Sequence, residues 1–240
     1  MLAAHEPRHE VGVDVEVGLR GIRHRLARLS PRPQSVGASL GGCHVRRSGP
    51  DSLLCDGGFS TTMEGMTRAD AAGDSAQPFR VSFVCTGNIC RSPMAEAVLR
   101  SLAERAGLAD RLAIESAATG DWHVGEQADR RTLAALERAG YDASTHRARQ
   151  FDPGDFAKLD LIVAFDRGQA RILRNWAPST VEQQNVRLLL EFDAELAPLQ
   201  DVPDPYYSDA AAFDRVLGMI EQATRALFRQ LAPALRQGTR

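Results

Sequence analysis

From Phe79 onward the sequence alternates between short apolar runs, typical of buried strands, and longer segments with helical periodicity. Strands are predicted at residues 79–85, 112–118, 159–165 and 185–191. Helices are predicted at about 92–106, 126–140, 167–177 and 210–235. Such alternation favours a parallel sheet, because right-handed crossovers between parallel strands cover both of its faces with helices. The sequence therefore predicts an α/β fold, a three-layer sandwich around a four-stranded parallel sheet.

Residues 1–75 have a different character, with clusters of Gly, Ser, Pro and Arg and no sustained period. Two interpretations stay open for them. The first is an N-terminal extension of low order, with a lone helix at about 19–29. The second is a mis-assigned start, with translation beginning at Met63 or Met66. In both cases the predicted folded domain spans residues 76–240.

Charge and cysteine usage restrict the functional class. A net charge of -2 over 240 residues argues against a nucleic-acid partner, because that binding depends on neutralising phosphates. The apolar runs are too short for a membrane span, and charges interrupt the position of a signal-peptide core. Four cysteines are too few for a disulfide scaffold, which favours a reducing, cytoplasmic location. The histidines show no metal-ligand spacing, so we expect no metal and no cofactor.

The segment CTGNICRS, residues 85–92, joins the first predicted strand to the start of a helix. At such a start the backbone N–H groups are unpaired and the helix dipole is positive, which attracts anions. Gly87 and Asn88 tolerate backbone angles that turn successive amides inward. Arg91 adds a planar fork that matches two phosphate oxygens. The sequence predicts a phosphate-binding loop after the first strand, formed by Thr86, Gly87, Asn88, Ile89, Cys90, Arg91 and Ser92.

Cys85 stands at the entrance of this loop, where the positive field favours the thiolate form. A thiolate beside a bound phosphate is a nucleophile aimed at phosphorus, and the expected intermediate is a cysteinyl phosphate. The leaving oxygen then needs a proton donor. Asp204 is the candidate, because Pro205 restricts it to extended backbone angles. An ordinary Asp-Pro turn is the alternative interpretation.

Two motifs carry a family resemblance. CTGNICRS at 85–92 and DPYY at 204–207 resemble the phosphate loop and the acid loop of the low-molecular-weight protein tyrosine phosphatases. SAATGDWHVG at 116–125 and THRARQ at 145–150 also resemble segments of that family. The resemblance covers about residues 79–235 and implies hydrolysis of phosphotyrosine in a protein substrate by a monomer or weak dimer.

The resemblance also implies roles at the matching positions. Cys85 would be the nucleophile, Arg91 would bind phosphate and stabilise the transferring group, and Asp204 would be the general acid and then the base. Ser92 would hydrogen-bond the sulfur, and Cys90 would pair with Cys85 on oxidation. The remaining positions imply loop support by Asn88, Ser116 and His146, and a substrate pocket formed by Trp122, Tyr206 and Tyr207. Three simpler readings stay open: a core histidine for His146, packing alone for Trp122, and a small buried side chain for Cys90.

Three other functions are compared with this prediction. A protein-arginine phosphatase of the same family usually has Thr before the second loop cysteine, where this chain has Ile89. An arsenate reductase needs further cysteines downstream, and none follows Cys90. A phosphate-binding module without activity would lack Cys85, Arg91 or Asp204, and all three are present. Protein tyrosine phosphatase is therefore the predicted function, with protein-arginine phosphatase as the nearest alternative.

Overall fold

The computed structural model describes residues 77–237. The predictions made for residues 1–75, including the lone helix and the alternative starts, lie outside the described residues, as does the predicted boundary at residue 76. The described strands and helices are, in chain order, β1 (Phe79–Cys85), α1 (Arg91–Arg105), β2 (Leu112–Ala118), α2 (Arg130–Arg138), β3 (Leu161–Ala164), α3 (Arg167–Trp176), α4 (Thr180–Gln184), β4 (Val186–Leu188) and α5 (Ala210–Gln237).

The four strands form one sheet in the order β2-β1-β3-β4, and every neighbouring pair is parallel. The predicted α/β fold with a four-stranded parallel sheet is confirmed. β1 is a central strand, and its last residue, Cys85, pairs with Ala118 at the end of β2. Because the carboxyl ends of parallel strands meet at one edge, this register places the loop after β1 where ligands bind in such sheets.

Side chains of β1 alternate between two separate apolar clusters, as the two-residue period of a strand requires. Val81 and Phe83 join the larger cluster, with Met94 of α1 and Phe213 of α5. Val84 joins the smaller cluster on the opposite face, among the buried residues of β3 and α3. Helices therefore cover both faces of the sheet, which makes the three layers that the alternation predicted.

Helix α5 contributes an apolar stripe to the larger cluster and packs against α1. The predicted stripe is buried at Phe213, Val216, Leu217, Ile220, Thr224, Leu227 and Leu231, and Phe228 is partly buried. Full burial of one large apolar side chain contributes roughly 1.5–3 kcal/mol. The stripe as a whole is therefore comparable with the net stability of a typical domain, about 5–15 kcal/mol, before the entropy of ordering is subtracted.

Three predicted boundaries are wrong by a few residues. The helix predicted at 126–140 begins only at Arg130, because the Asp129 side chain caps it by accepting from the Arg131 amide at 2.8 Å. The strand predicted at 159–165 is shorter in the structure, where β3 spans only Leu161–Ala164. The strand predicted at 185–191 ends at Leu188, where the chain turns into a 3-10 helix.

Helix α4 was not predicted from the sequence. Its start is nevertheless visible there as Ser179, whose hydroxyl accepts from the Val181 amide at 3.2 Å. Within residues 77–237, no helix has both the length and the apolar character that crossing a bilayer requires.

Candidate active site

The loop after β1 folds tightly around the sulfur of Cys85. The Ser92 hydroxyl oxygen lies 3.1 Å from the Cys85 Sγ, and the backbone N–H of Asn88 donates to the same sulfur at 3.2 Å. Cys85 is 3% exposed and Ser92 is fully buried at the start of α1. Two polar groups therefore face the sulfur, which is the arrangement that stabilises a thiolate.

Asn88 fixes the shape of the loop. It adopts the left-handed region with a φ of 56° and is completely buried. Its Nδ2 donates to the hydroxyls of Ser92 at 2.8 Å and Ser116 at 2.9 Å, and its Oδ1 accepts from the Arg149 amide at 2.9 Å. The His146 Nε2 lies 2.7 Å from the Asn88 carbonyl oxygen, which can only accept, so Nε2 carries a proton. Both residues predicted to support the loop, Ser116 and His146, contact Asn88 directly.

Gly87 has a different role from the one expected. Unusual backbone angles were predicted for it from the sequence, but among the loop residues the positive φ occurs at Asn88. A Cβ added at Gly87 would lie 2.9 Å from the His123 Cδ2. The glycine is therefore needed for close approach of the His123 ring to the loop.

Arg91 joins the loop to two other parts of the chain. Its side chain is 4% exposed, and its Nη2 donates to the Asp204 Oδ2 at 2.6 Å. Its Nη1 donates to the Asp166 Oδ2 at 3.0 Å and to the Val202 carbonyl at 3.1 Å. Thr86 Oγ1 lies at 3.5 Å from Nη2, at the limit of a hydrogen bond. The buried guanidinium is thus paired and fixed in orientation.

Asp166 was missed by the sequence analysis. It follows β3 at the carboxyl edge of the sheet and caps α3, accepting from the Gln169 amide at 2.8 Å. Gln169 in turn donates to Thr86 Oγ1 at 3.0 Å. A carboxylate immediately after a buried strand and before a helix was the signal that would have found it.

A pocket of about 400 Å³ opens above the loop. Loop residues from Cys85 to Arg91 form its floor, and its walls are formed by Trp122, His123, Asp204, Tyr206 and Tyr207. Of the predicted phosphate-loop residues, Asn88 and Ser92 are fully buried behind this floor. The structure therefore brings the predicted nucleophile, the arginine, the acid and all three aromatic side chains to one cavity.

The aromatic walls differ in how they are held. Trp122 is 69% exposed, and its ring lies over Gly120, where an added Cβ would be 1.7 Å from the indole. Tyr207 is 96% exposed and meets the Tyr206 ring edge to face at 4.8 Å between centroids. His123, which the sequence analysis did not single out, lies 6.0 Å from the Tyr206 ring. The rings form a partly open rim, the geometry that accepts a flat aromatic group.

Cys90 also borders the pocket but is chemically unlike an exposed thiol. Burial and, to a lesser extent, the neighbouring Cys85 raise the pKa of the Cys90 thiol to about 12. A thiol with a raised pKa remains protonated at lower pH, so Cys90 is neutral throughout the range from pH 5 to 9. Both cysteines are free thiols in the structure. Among residues 77–237, no three His, Cys, Asp or Glu side chains are grouped as a metal site.

The raised pKa of Cys90 predicts that alkylation will be selective for Cys85. Because thiolates react and Cys90 stays protonated, iodoacetamide between pH 5 and 9 should modify Cys85 far more than Cys90. Both cysteines lie between Arg80 and Arg91, in one tryptic peptide, so tandem mass spectrometry of that peptide locates the modification. Cys85→Ser should remove the modification in this segment, and Cys90→Ala should leave it unchanged. Comparable rates at Cys85 and Cys90 below pH 9 would contradict the assignment.

Comparison with known proteins gives a consistent result. A family profile described as low molecular weight phosphotyrosine protein phosphatase matches residues 80–237. The chain is 51% identical over 150 residues to a low molecular weight protein-tyrosine-phosphatase of Streptomyces coelicolor, covering 62% of this chain and 91% of that protein. It is 44% identical over 153 residues to low molecular weight protein-tyrosine phosphatase A of Mycobacterium tuberculosis, covering 63% and 91%.

Solved structures agree with the sequence relatives. The protein tyrosine phosphatase of Entamoeba histolytica, crystallised with Hepes in its active site, has a TM-score of 0.61 at 32% identity, covering 65% of this chain and 97% of that chain. The YwlE arginine phosphatase has a TM-score of 0.58 at 27% identity, covering 64% and 96%. With a profile that matches most of its length and relatives of this similarity, the chain belongs to the family of low molecular weight phosphotyrosine protein phosphatases.

Proposed function

We propose that this protein hydrolyses phosphotyrosine in protein substrates through a cysteinyl-phosphate intermediate. The observation that carries the proposal is the convergence of the Cys85 sulfur, the Arg91 guanidinium and the Asp204 carboxylate on one aromatic-walled pocket. Family membership supports the substrate class, because the relatives at 51% and 44% identity are named as protein-tyrosine phosphatases.

Phosphate binding would begin at Arg91. Its Nη2 bonds Asp204, whereas its Nη1 is held by Asp166 and the Val202 carbonyl. An incoming phosphate dianion competes with the Asp204 carboxylate for Nη2 while Nη1 keeps the guanidinium in place. Displacement frees the Asp204 carboxylate from the guanidinium, so that it takes up a proton from solvent and stands beside the phosphate, in place to give that proton to the leaving oxygen.

The chemistry proceeds in two steps. The Cys85 thiolate attacks phosphorus, the bond from phosphorus to the tyrosyl oxygen breaks, and Asp204 gives its proton to that oxygen. Water then attacks the phosphocysteine, Asp204 takes a proton from the water, and the bond from sulfur to phosphorus breaks. The departing thiolate is stabilised by the Ser92 hydroxyl and the Asn88 amide, which already contact the sulfur.

The depth of the pocket would select the substrate. Cys85 lies at its floor, and the rings of Trp122, Tyr206 and Tyr207 form its rim. A phosphotyrosine places its phosphate at the floor while its ring lies between aromatic walls. A phosphoserine is too short to gain both contacts. We expect the substrate to be a phosphotyrosine-containing protein, and we retain the cytoplasmic location and the monomer or weak dimer as predictions.

The alternatives are less favoured. Similarity to the arginine phosphatase structure is 27% identity, against 51% and 44% for the named tyrosine phosphatases. Ile89, which borders the pocket and is 6% exposed, offers an apolar surface where that branch usually has a hydroxyl. No cysteine follows Cys90 in the sequence, which removes the relay that an arsenate reductase needs.

Matched peptides carrying phosphotyrosine, phosphoserine or phosphoarginine test the substrate class. The full chain should release phosphate from phosphotyrosine far faster than from the other two. Cys85→Ser should lower this rate by roughly four orders of magnitude or more, because the nucleophile is lost. A preference for phosphoarginine would refute the substrate assignment. Retained activity in Cys85→Ser would refute the assignment of Cys85 as the nucleophile.

The acid role of Asp204 predicts a dependence on the leaving group. Asp204→Asn should lower kcat/KM roughly 10²- to 10⁴-fold for phenyl phosphate, whose leaving oxygen needs a proton. The loss should be small for dinitrophenyl phosphate, which leaves unaided. Equal losses of kcat/KM on both substrates would remove Asp204 from this role.

A further inference from the structure

Arg131, at the start of α2, is bonded to the backbone of the acid loop, defined here as residues 204–208. Its Nη2 donates to the Tyr206 carbonyl at 3.0 Å, and its Nη1 donates to the Ser208 carbonyl at 2.9 Å. The Asp204 side chain in turn accepts from the Tyr206 amide at 3.1 Å through Oδ1. One guanidinium therefore holds two carbonyls of the segment that carries the proposed acid.

The same side chain is anchored toward the phosphate loop. Its Nε donates to the Asp129 Oδ1 at 3.0 Å and its Nη2 to the Asp129 Oδ2 at 2.7 Å. The Asp129 amide donates to the Ile89 carbonyl, inside the phosphate loop, at 2.9 Å. A continuous path of hydrogen bonds thus runs from the floor of the pocket through Asp129 and Arg131 to the acid loop.

Packing restricts the guanidinium further. The Arg131 Cζ lies 4.4 Å from the centroid of the Phe213 ring and 6.0 Å from that of Tyr206. Arginine suits such a place because its planar fork has donors in fixed directions and its face stacks on aromatic rings. A lysine ammonium cannot reproduce both the paired bond to a carboxylate and the two bonds to carbonyls.

The acid loop has few other attachments near the acid. It adopts neither helix nor strand between residues 202 and 208. Its upstream end is fixed where the Val202 amide donates to the Phe165 carbonyl at 2.7 Å. Asp204 itself, with a side chain 47% exposed, is tied to Arg91. In the proposed reaction phosphate replaces Asp204 as the partner of Arg91. The position of the acid loop then depends on its bonds to Arg131.

We propose that Arg131 is a positioning residue, which holds the acid loop at the distance from the phosphate loop at which Asp204 transfers its proton. This inference rests on the proposed acid role of Asp204. Arg131 is not among the residues that line the pocket, and its hydrogen bonds to the acid loop go to the backbone of Tyr206 and Ser208. Its loss should therefore impair proton transfer and leave nucleophilic attack intact.

The ion pair between Asp129 and Arg131 remains charged over the pH range in which the enzyme would act. Hydrogen bonds from Arg131 hold the pKa of the Asp129 carboxyl below its usual range, and those same bonds raise the pKa of the Arg131 guanidinium. A carboxyl with a lowered pKa is ionised at all higher pH values. In the native enzyme this ion pair therefore adds no ionisation of its own to the pH profile.

Arg138 offers a matched control on the same helix. Its Nη2 bonds the Asp214 Oδ1 of α5 at 2.6 Å, and both side chains are about half exposed. Arg138→Met therefore removes the same charge from α2 and an ion pair to α5, and among residues 77–237 Arg138 makes no hydrogen bond to the acid loop. Arg131→Met keeps an unbranched apolar stem against Phe213 but removes every donor.

The experiment measures kcat/KM for phenyl phosphate and dinitrophenyl phosphate with the full-length native enzyme and its variants. Arg131→Met should lower the value for phenyl phosphate roughly 10- to 100-fold, because a displacement of about 1 Å costs that much. Its loss on dinitrophenyl phosphate should be less than about threefold, since attack by Cys85 is preserved. Arg131→Lys should fall between native and Met. Arg138→Met should match the native enzyme on both substrates.

Asp204→Asn serves as the benchmark that separates the two claims. If it shows the selective loss and Arg131→Met instead loses activity equally on both substrates, the positioning role is overturned and the proposed function stands. If Arg131→Met does not fold, Arg131→Lys decides: a native ratio of the two kcat/KM values overturns the role. If Asp204→Asn shows no selective loss, the acid assignment fails, and the positioning role fails with it.

Discussion

The buried Asn88 makes a hydrogen bond through each of its polar atoms, and the shape of the pocket depends on this set of bonds. Its amide donates to the Cys85 sulfur, its carbonyl accepts from His146, and its side chain bonds Ser92, Ser116 and the Arg149 backbone. Each such bond left unmade in a buried site costs about 1–3 kcal/mol. The set therefore outweighs the cost of the left-handed backbone at Asn88 and ties the loop to β2 and to the segment 145–150.

Arg91 extends this rigidity to the other side of the pocket. Its buried charge is paired with Asp166 and Asp204, which reach it from the loop after β3 and from the acid loop. Burial of a cation is costly unless it is paired, so the site holds both carboxylates close to the place where phosphate is expected. The Asp204 side chain is the more exposed of the two, at 47% against 27% for Asp166. The proposed mechanism uses that asymmetry: Asp166 orients the guanidinium, and Asp204 delivers the proton.

The local features of this protein were predictable, and the long-range contacts were not. β1 and the phosphate loop follow from an apolar run and the residues next to it, so the sequence alone indicated Cys85 and Arg91. The place of Asp166 after a buried strand was a local signal, but its contact with Arg91 spans 75 residues, as does the contact of Arg131 with Tyr206, and no local pattern encodes such partners. The motif resemblance did indicate Ser116 and His146, which the structure brings to Asn88. The shortened β4 shows a further limit, because the apolar run after Leu188 suits a strand and a buried 3-10 turn equally.

The central claim is that phosphate passes through the sulfur of Cys85. The most direct measurement is rapid acid quenching of the enzyme during turnover of an aryl phosphate, followed by peptide mass spectrometry. We predict that one phosphoryl group appears on the peptide containing Cys85, forms as fast as the phenol is released, and is lost during turnover. A phosphoryl group on another residue, or phenol release with no labelled enzyme at the earliest quench times in both native protein and Asp204→Asn, would contradict the account.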